Sequence, residues 1–361
     1  MNRHERRAAK SSARAKGQAQ TGNGIGDTVT QGIALINAGE YPQAEQIFRH
    51  LLKSAPDSVE AKHQLGTILA RTGRAEEGIA LLREATAAMP KESLYWSNLA
   101  AACYIAQDSK GAAEAARQAV ALRPDYGLAW DNLGSALMDL GEFAEAIEAY
   151  RQAMRFGAGD LETQKRLSAC YMGIEDYPSA VRVINSVLAG NAEDHEMLAC
   201  LGSALIETKD FAGARDALAK AAAIAPDYFP TAYHYGRVLR LSGDRVAALR
   251  WLRRATSSEP RNPVAWRDLA EASLEEGDLE NAKVAIERAF ALEPNAVSIR
   301  ALRDRIVPPV APQQPVLDFS NIGPFIPIEL DAPRLETLQA NPAAPATEPG
   351  VVDLSILKIG N

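Results

Sequence analysis

The chain has 361 residues, 47% of them hydrophobic and 24% charged, with a formal net charge of -7. Aromatic residues make up only 6% and alanine is abundant, which argues against a β-sandwich and for closely packed helices. No run approaches the ~18 apolar residues of a membrane span, and three cysteines without CxxC spacing (Cys103, Cys170, Cys200) argue against a disulfide framework and a zinc site.

Residues 1–24 come first, a basic arm with six Lys/Arg against one acid. No apolar stretch follows MNRHERRAAKSSARAKGQ, so it is not a secretory signal, and a cytoplasmic protein is expected. Such an arm could touch nucleic acid, an acidic membrane leaflet or the chain's own acidic body. Its opening, NRHERRAA, resembles the start of some bacterial repeat proteins and implies a bacterial source. GNGIG at 22–26 is not a dinucleotide loop, because no strand precedes it.

From residue 25 the chain repeats itself. Pro56, Pro90 and Pro124 are 34 residues apart, and Pro226, Pro260 and Pro294 continue the phase, with Ala158 and Ala192 on the two missing beats. The units are 25–58, 59–92, 93–126, 127–160, 161–194, 195–228, 229–262 and 263–296. Within them place eight is always small (Gly32, Gly66, Ala100, Gly134, Ser168, Gly202, Gly236, Ala270), and place twenty is Ala or Gly throughout. Large apolar residues recur at places seven and twenty-four, and Trp96, Trp130 and Trp266 stand at place four. This is ridge-and-groove packing of two helices per unit, in which small residues allow the backbones to close. One such unit cannot bury its own apolar face, so neighbours must supply the core. Residues 297–307 predict a capping helix, with Ile299, Leu302 and Ile306 at helical spacing and three arginines outward. The stretch 308–361 holds ten of the 20 prolines and no helical period, predicting a disordered or extended acidic tail. Its apolar clusters FSNIGPFIPIEL (319–330) and VVDLSILKIG (351–360) are candidate short linear motifs. With the arm at +5 and the tail at -4, the body carries -8.

The unit DYGLAWDNLGSALMDLGEFAEAIEAYRQAM (125–154) resembles the consensus of the tetratricopeptide-repeat family almost place for place, and the resemblance covers 25–296. It implies an all-α fold: a right-handed superhelical solenoid of eight helix-turn-helix units with a C-terminal capping helix. It also implies a concave surface lined mainly by the first helix of each unit, which binds protein segments.

Chemistry is sparse. The histidines (His4, His50, His63, His195, His234) are scattered, and His195-Glu196 fails the HExxH pattern because Ala199 occupies the second histidine place. No nucleophile elbow or phosphate loop is present. No catalytic residue, metal or cofactor is expected, and the chain reads as a non-catalytic adaptor. The groove candidates in the third and fourth units are Asn98, Tyr104, Asp131, Asn132, Ser135 and Met138, with Lys165 and Arg166 following in the fifth. An Asn amide carries both donor and acceptor and suits a peptide backbone. The family's asparagine ladder at place six is matched only at Asn98 and Asn132. The carboxylate clamp of some relatives is not met, since Ser97, Ala101 and Glu162 stand at three of its positions. Tyr233, His234, Arg237, Arg240 and Arg267 form a candidate basic and aromatic patch for an acidic peptide, with the chain's own tail as one such ligand. Two other roles are open: a regulatory or substrate-presenting subunit of a separate enzyme such as a glycosyltransferase, and nucleic-acid binding through the arm.

Overall fold

The computed structural model describes residues 26–308, and among them the chain forms seventeen α-helices and no strand. α1 spans 26–37 and pairs with α2 (Tyr41–Ser54). Then α3 (Val59–Arg71) pairs with α4 (Ala75–Ala88), α5 (Ser93–Ile105) with α6 (Ser109–Leu122), and α7 (Gly127–Asp139) with α8 (Phe143–Arg155). The pairs α9 (Leu161–Gly173) with α10 (Tyr177–Gly190) and α11 (His195–Glu207) with α12 (Phe211–Ile224) follow. α13 (Phe229–Leu241) with α14 (Arg245–Ser258), α15 (Pro263–Glu276) with α16 (Leu279–Leu292), and the single helix α17 (Val297–Ile306) complete the series. From α3 onward each first helix begins 34 residues after the previous one. The basic arm and, apart from Pro308, the acidic tail expected from the sequence lie outside the described residues. No described helix is long and apolar enough to cross a membrane.

The turn inside each pair is specified locally. Its residue at place fifteen is left-handed: Gly39, Gly73, Gly141, Gly243 and Gly277 have φ between 77° and 86°, and Gln107, Glu175 and Lys209 hold φ of 61–64°. A Cβ is disfavoured in that conformation, which is why five of the eight are glycine. In five pairs an aspartate follows (Asp108, Asp176, Asp210, Asp244, Asp278). Its carboxylate accepts the N–H three residues on, capping the second helix. Six of the eight second helices stop before a proline at place thirty-two, which disfavours helical backbone in the residue before it, while α8 and α10 stop before Ala158 and Ala192.

Packing within a pair is antiparallel and very close. A Cβ added at Gly78 would sit 2.5 Å from the Gly66 carbonyl oxygen, and one at Gly66 would sit 2.8 Å from that of Gly78. Place twenty-four is fully buried in every pair, from Phe48 and Leu82 through Tyr150 and Ile184 to Leu252 and Ile286. Buried side chains thus form a row of five clusters, each joining helices of neighbouring pairs, rather than gathering at one centre.

Both ends of the described array are covered. In α1, Asp27 and Gln31 occupy the places where α3 buries Ala61 and Leu65, so the outward face of the first pair is polar. At the other end α17 buries Ile299, Leu302 and Ile306 against α15 and α16, and Arg303 Nε donates to Glu287 at 2.8 Å. Cys103 and Cys170 are buried thiols, pushed up to about 11 by burial.

Candidate functional site

The first helices of successive units lie side by side, and their places five, six and nine face one another across the unit boundary. At four unit boundaries place six of one unit meets place five of the unit before it, 35 residues earlier. Asn98 Nδ2 lies 2.7 Å from His63 Nε2, and Asn132 Nδ2 donates to the Ser97 carbonyl at 3.1 Å and to its hydroxyl at 3.2 Å. Arg166 Nη1 stands 3.6 Å from Asp131, and Asp268 accepts from the Tyr233 hydroxyl at 2.8 Å. The same side chains reach place nine of the earlier unit, 31 residues away: Asn98 to Thr67 at 3.4 Å, and Arg166 to Ser135 at 3.3 Å. A lateral polar ladder therefore ties first helix to first helix, above the apolar core.

Three ionisable groups in or beside it, Glu60, Asp131 and His234, are shifted. His63 is 2% exposed, stacks on Tyr95 with ring centroids 4.1 Å apart, and turns Nδ1 toward Glu60 Oε1 at 3.8 Å. The contact with His63, followed by bonds from Gln64 and Tyr95, holds Glu60 down at about 2 against the opposing effect of burial. Asp131 moves the other way, raised chiefly by burial although Thr163 and Arg166 face it. His234 is pulled down to about 4 by burial and by the nearby Arg237 charge, and its Nδ1 has no partner among the described residues.

The expected groove residues fall into three groups. Asn98, Tyr104, Asp131, Asn132, Met138 and Arg166 lie along α5, α7 and α9. There the exposed apolar side chains Leu94, Ile105 and Leu128 stand beside the two asparagines, Leu128 being 59% exposed. Ser135 is buried, bonded by the Tyr150 hydroxyl at 3.2 Å and by Arg166. Lys165 turns aside, its Nζ 2.6 Å from the nearly buried Asp194 carboxylate that caps α11. The third group is the patch on α13 and α15, where every arginine already has a carboxylate. Arg237 meets Glu207 at 3.3 Å and Asp268 at 4.0 Å, Arg240 meets Glu271 and Glu275, and Arg267 meets Asp268 at 2.6 Å. Asp268, only 2% exposed, is the residue sequence reasoning missed as the centre of this cluster. Pairing residues at a separation of 35 rather than 34 would have found it, and also His63 and Ser97.

Among the described residues no group of three or more His, Cys, Asp or Glu is placed to hold a metal. Tetratricopeptide-repeat profiles match residues 35–103, 127–156, 171–229 and 239–306. The chain belongs to the tetratricopeptide-repeat family. A comparison with curated proteins finds no match. Among solved structures, the array is similar to a chain of the APC/C hetero-tetramer Cut9-Hcn1, with 17% identity and a TM-score of 0.53. That match covers 74% of this chain and 52% of the other, so it spans about half the length of that protein. It is also similar to the C-terminal part of a repeat-containing protein of this family from Cytophaga hutchinsonii, with 14% identity, a TM-score of 0.52, and coverage of 66% and 98%. At these identities the likeness speaks for the fold. Membership of the tetratricopeptide-repeat family supports a general role as a protein-interaction scaffold.

Proposed function

We propose that this tetratricopeptide-repeat array is a non-catalytic adaptor that holds an extended segment of a partner protein across α5 and α7. One observation carries the reading: Leu94, Ile105 and Leu128 are large, apolar and exposed beside Asn98 and Asn132, in a stretch otherwise tied down by lateral bonds. The amide nitrogens of both asparagines are engaged in those bonds, and neither Oδ1 has a partner among the described residues. A ligand therefore meets carbonyl acceptors held at fixed positions, suited to the N–H groups of a peptide backbone, with exposed apolar side chains beside them for its own apolar residues. A cytoplasmic location belongs to the same proposal, supported by three free thiols.

The second occupant anticipated from sequence, an acidic segment on Tyr233, His234, Arg237, Arg240 and Arg267, is less favoured. Those guanidiniums would have to give up existing carboxylates first. A titration of partner-derived peptides against Leu94→Glu/Leu128→Glu tests the main reading. Affinity should fall at least about tenfold while the far-UV spectrum stays unchanged; equal affinity would move the binding face elsewhere.

A further inference from the structure

The second helices form the other face of the array, which the adaptor reading leaves unused. Two crevices of like construction open on it, about 640 Å3 between α4 and α6 and about 330 Å3 between α14 and α16. Place eleven of the intervening first helix lines each of them, as Cys103 in one and Ser273 in the other. Five other units carry leucine there (Leu35, Leu69, Leu137, Leu205, Leu239) and one carries Tyr171, so the smaller side chain leaves the volume open. The walls match. A threonine hydroxyl donates to the carbonyl of the arginine three residues back, Thr86 to Arg83 at 3.0 Å and Thr256 to Arg253 at 2.9 Å. That arginine stands 3.9 Å from the aspartate capping the next second helix. In both, a tryptophan Nε1 donates to a proline carbonyl at 2.9 Å, which satisfies its polar end and leaves an apolar wall.

The floors and rims differ. A buried thiol behaves as a small hydrophobe, but a buried hydroxyl needs a partner, and that of Ser273 has none among the described residues. Arg288 occupies the place at which Gln118 lines the earlier crevice, and Arg250 stands one turn from Arg253. Arg250 and Arg288 are exposed and have no ion pair among the described residues. At the place of Arg250 the earlier crevice has Ala80, and Glu114 stands where the later one has Val284, 61% exposed. The α14–α16 crevice is therefore an apolar slot with an unsatisfied hydroxyl at its base and cations at its mouth.

Each part of that arrangement selects a feature of the occupant. Apolar walls take a large side chain, and the hydroxyl at the base asks that its far end carry oxygen, which together describe tyrosine. Arginines at the mouth select carboxylates on either side of it. We propose that the α14–α16 crevice is a second docking site, for an acidic segment of another protein that inserts a tyrosine. The ring lies among Trp266, Leu269 and Val284, its phenol oxygen accepts from the Ser273 hydroxyl, and flanking carboxylates meet Arg250, Arg253 and Arg288. This site is independent of the groove on α5 and α7, so the array can hold two different proteins, one on each face.

The test titrates the full chain into a fluorescein-labelled peptide, Asp-Glu-Glu-Tyr-Glu-Asp-Glu, and into the same peptide with Phe for Tyr, and reads anisotropy. The tyrosine peptide should bind at least about fivefold tighter, and Ser273→Ala should abolish that difference. Ser273→Leu restores the residue that five other units carry at this place, so it should remove binding of both peptides without lowering the melting temperature. Arg253→Glu/Arg288→Glu, at two exposed positions, should weaken binding at least about tenfold, and Arg83→Glu in the earlier crevice should not. No saturable binding of the tyrosine peptide overturns the proposal, as does equal affinity for the two peptides or binding unchanged by the double arginine variant. A dimer of the chain that Ser273→Leu dissociates would place a second copy in the crevice and also overturn it.

Discussion

Asn132 is tied to Ser97, one unit earlier, by two bonds from a single amide nitrogen: 3.1 Å to the carbonyl oxygen and 3.2 Å to the hydroxyl. The side chain that aligns with a peptide-binding asparagine is therefore also a structural link between α5 and α7. Asn132→Ala should cost about 1 kcal/mol of stability, the net worth of a side-chain hydrogen bond with a partly buried partner. Asn132→Asp should cost more, since a carboxylate cannot donate to the Ser97 carbonyl. Denaturant midpoints of the two variants check the order, which a purely ligand-facing Asn132 would not produce.

The left-handed turns give a prediction of opposite sign. Gln107, Glu175 and Lys209 occupy a conformation that glycine fills in the other five pairs. Replacing each by glycine should stabilise the array by up to about 1 kcal/mol, because relief of the strained backbone outweighs the added freedom of the unfolded chain. Gly141→Ala should destabilise it by a similar amount. Thermal or urea unfolding of the four single variants tests both directions.

Close helix contacts differ in what can yield. A methyl at Gly78 would meet a backbone carbonyl, whereas one at Gly236 would meet the Leu252 side chain at 2.8 Å. Gly78→Ala should therefore cost about 1–3 kcal/mol, and Gly236→Ala less, since a leucine can shift its rotamer. Gly134→Leu, aimed at the Tyr150 ring 2.7 Å from its Cβ position, should break the coupling between neighbouring units and split the unfolding transition. Equal effects at Gly78 and Gly236 would contradict the packing described.

Much of this was legible in sequence because it repeats at the period of the chain. The turn glycines, the small residues at places eight and twenty and the buried residues at place twenty-four recur every 34 residues, and each answers to a backbone or packing need inside one unit. The lateral partners were not legible, since neighbouring first helices are staggered and their contacts fall at separations of 35 and 31. Asn98 and Asn132 therefore read as free amides, and Arg237 and Arg267 read as free cations until Asp268 was placed between them. Ser135 read as a groove residue because nothing in its own helix shows that the Tyr150 hydroxyl closes over it.

Acid should lower the stability of the array over two successive pH ranges. His234 is held at about 4 against an ordinary value of 6.5, so its unfolded form takes up a proton first as pH falls. Stability linked to this residue is complete above about pH 6.5 and is lost down to about pH 4, with a slope of at most about 1.4 kcal/mol per pH unit. Glu60, depressed to about 2 from 4.5, contributes stability above pH 4.5 that is lost below it. His234→Asn should flatten the unfolding free energy between pH 4.5 and 6.5 and leave the lower limb in place. An unchanged upper limb would show that His234 is not held neutral by the fold.

The adaptor reading stands or falls on what touches α5 and α7 in the cell. Leu128, the most exposed apolar residue beside the asparagines, can be replaced by a photo-crosslinking phenylalanine analogue, with the same replacement at the exposed Val246 of α14 as reference. Discrete protein adducts are expected from position 128, absent from position 246 and lost when Leu94 is changed to Glu. No adduct at position 128, or the same pattern from both positions, would contradict the adaptor reading.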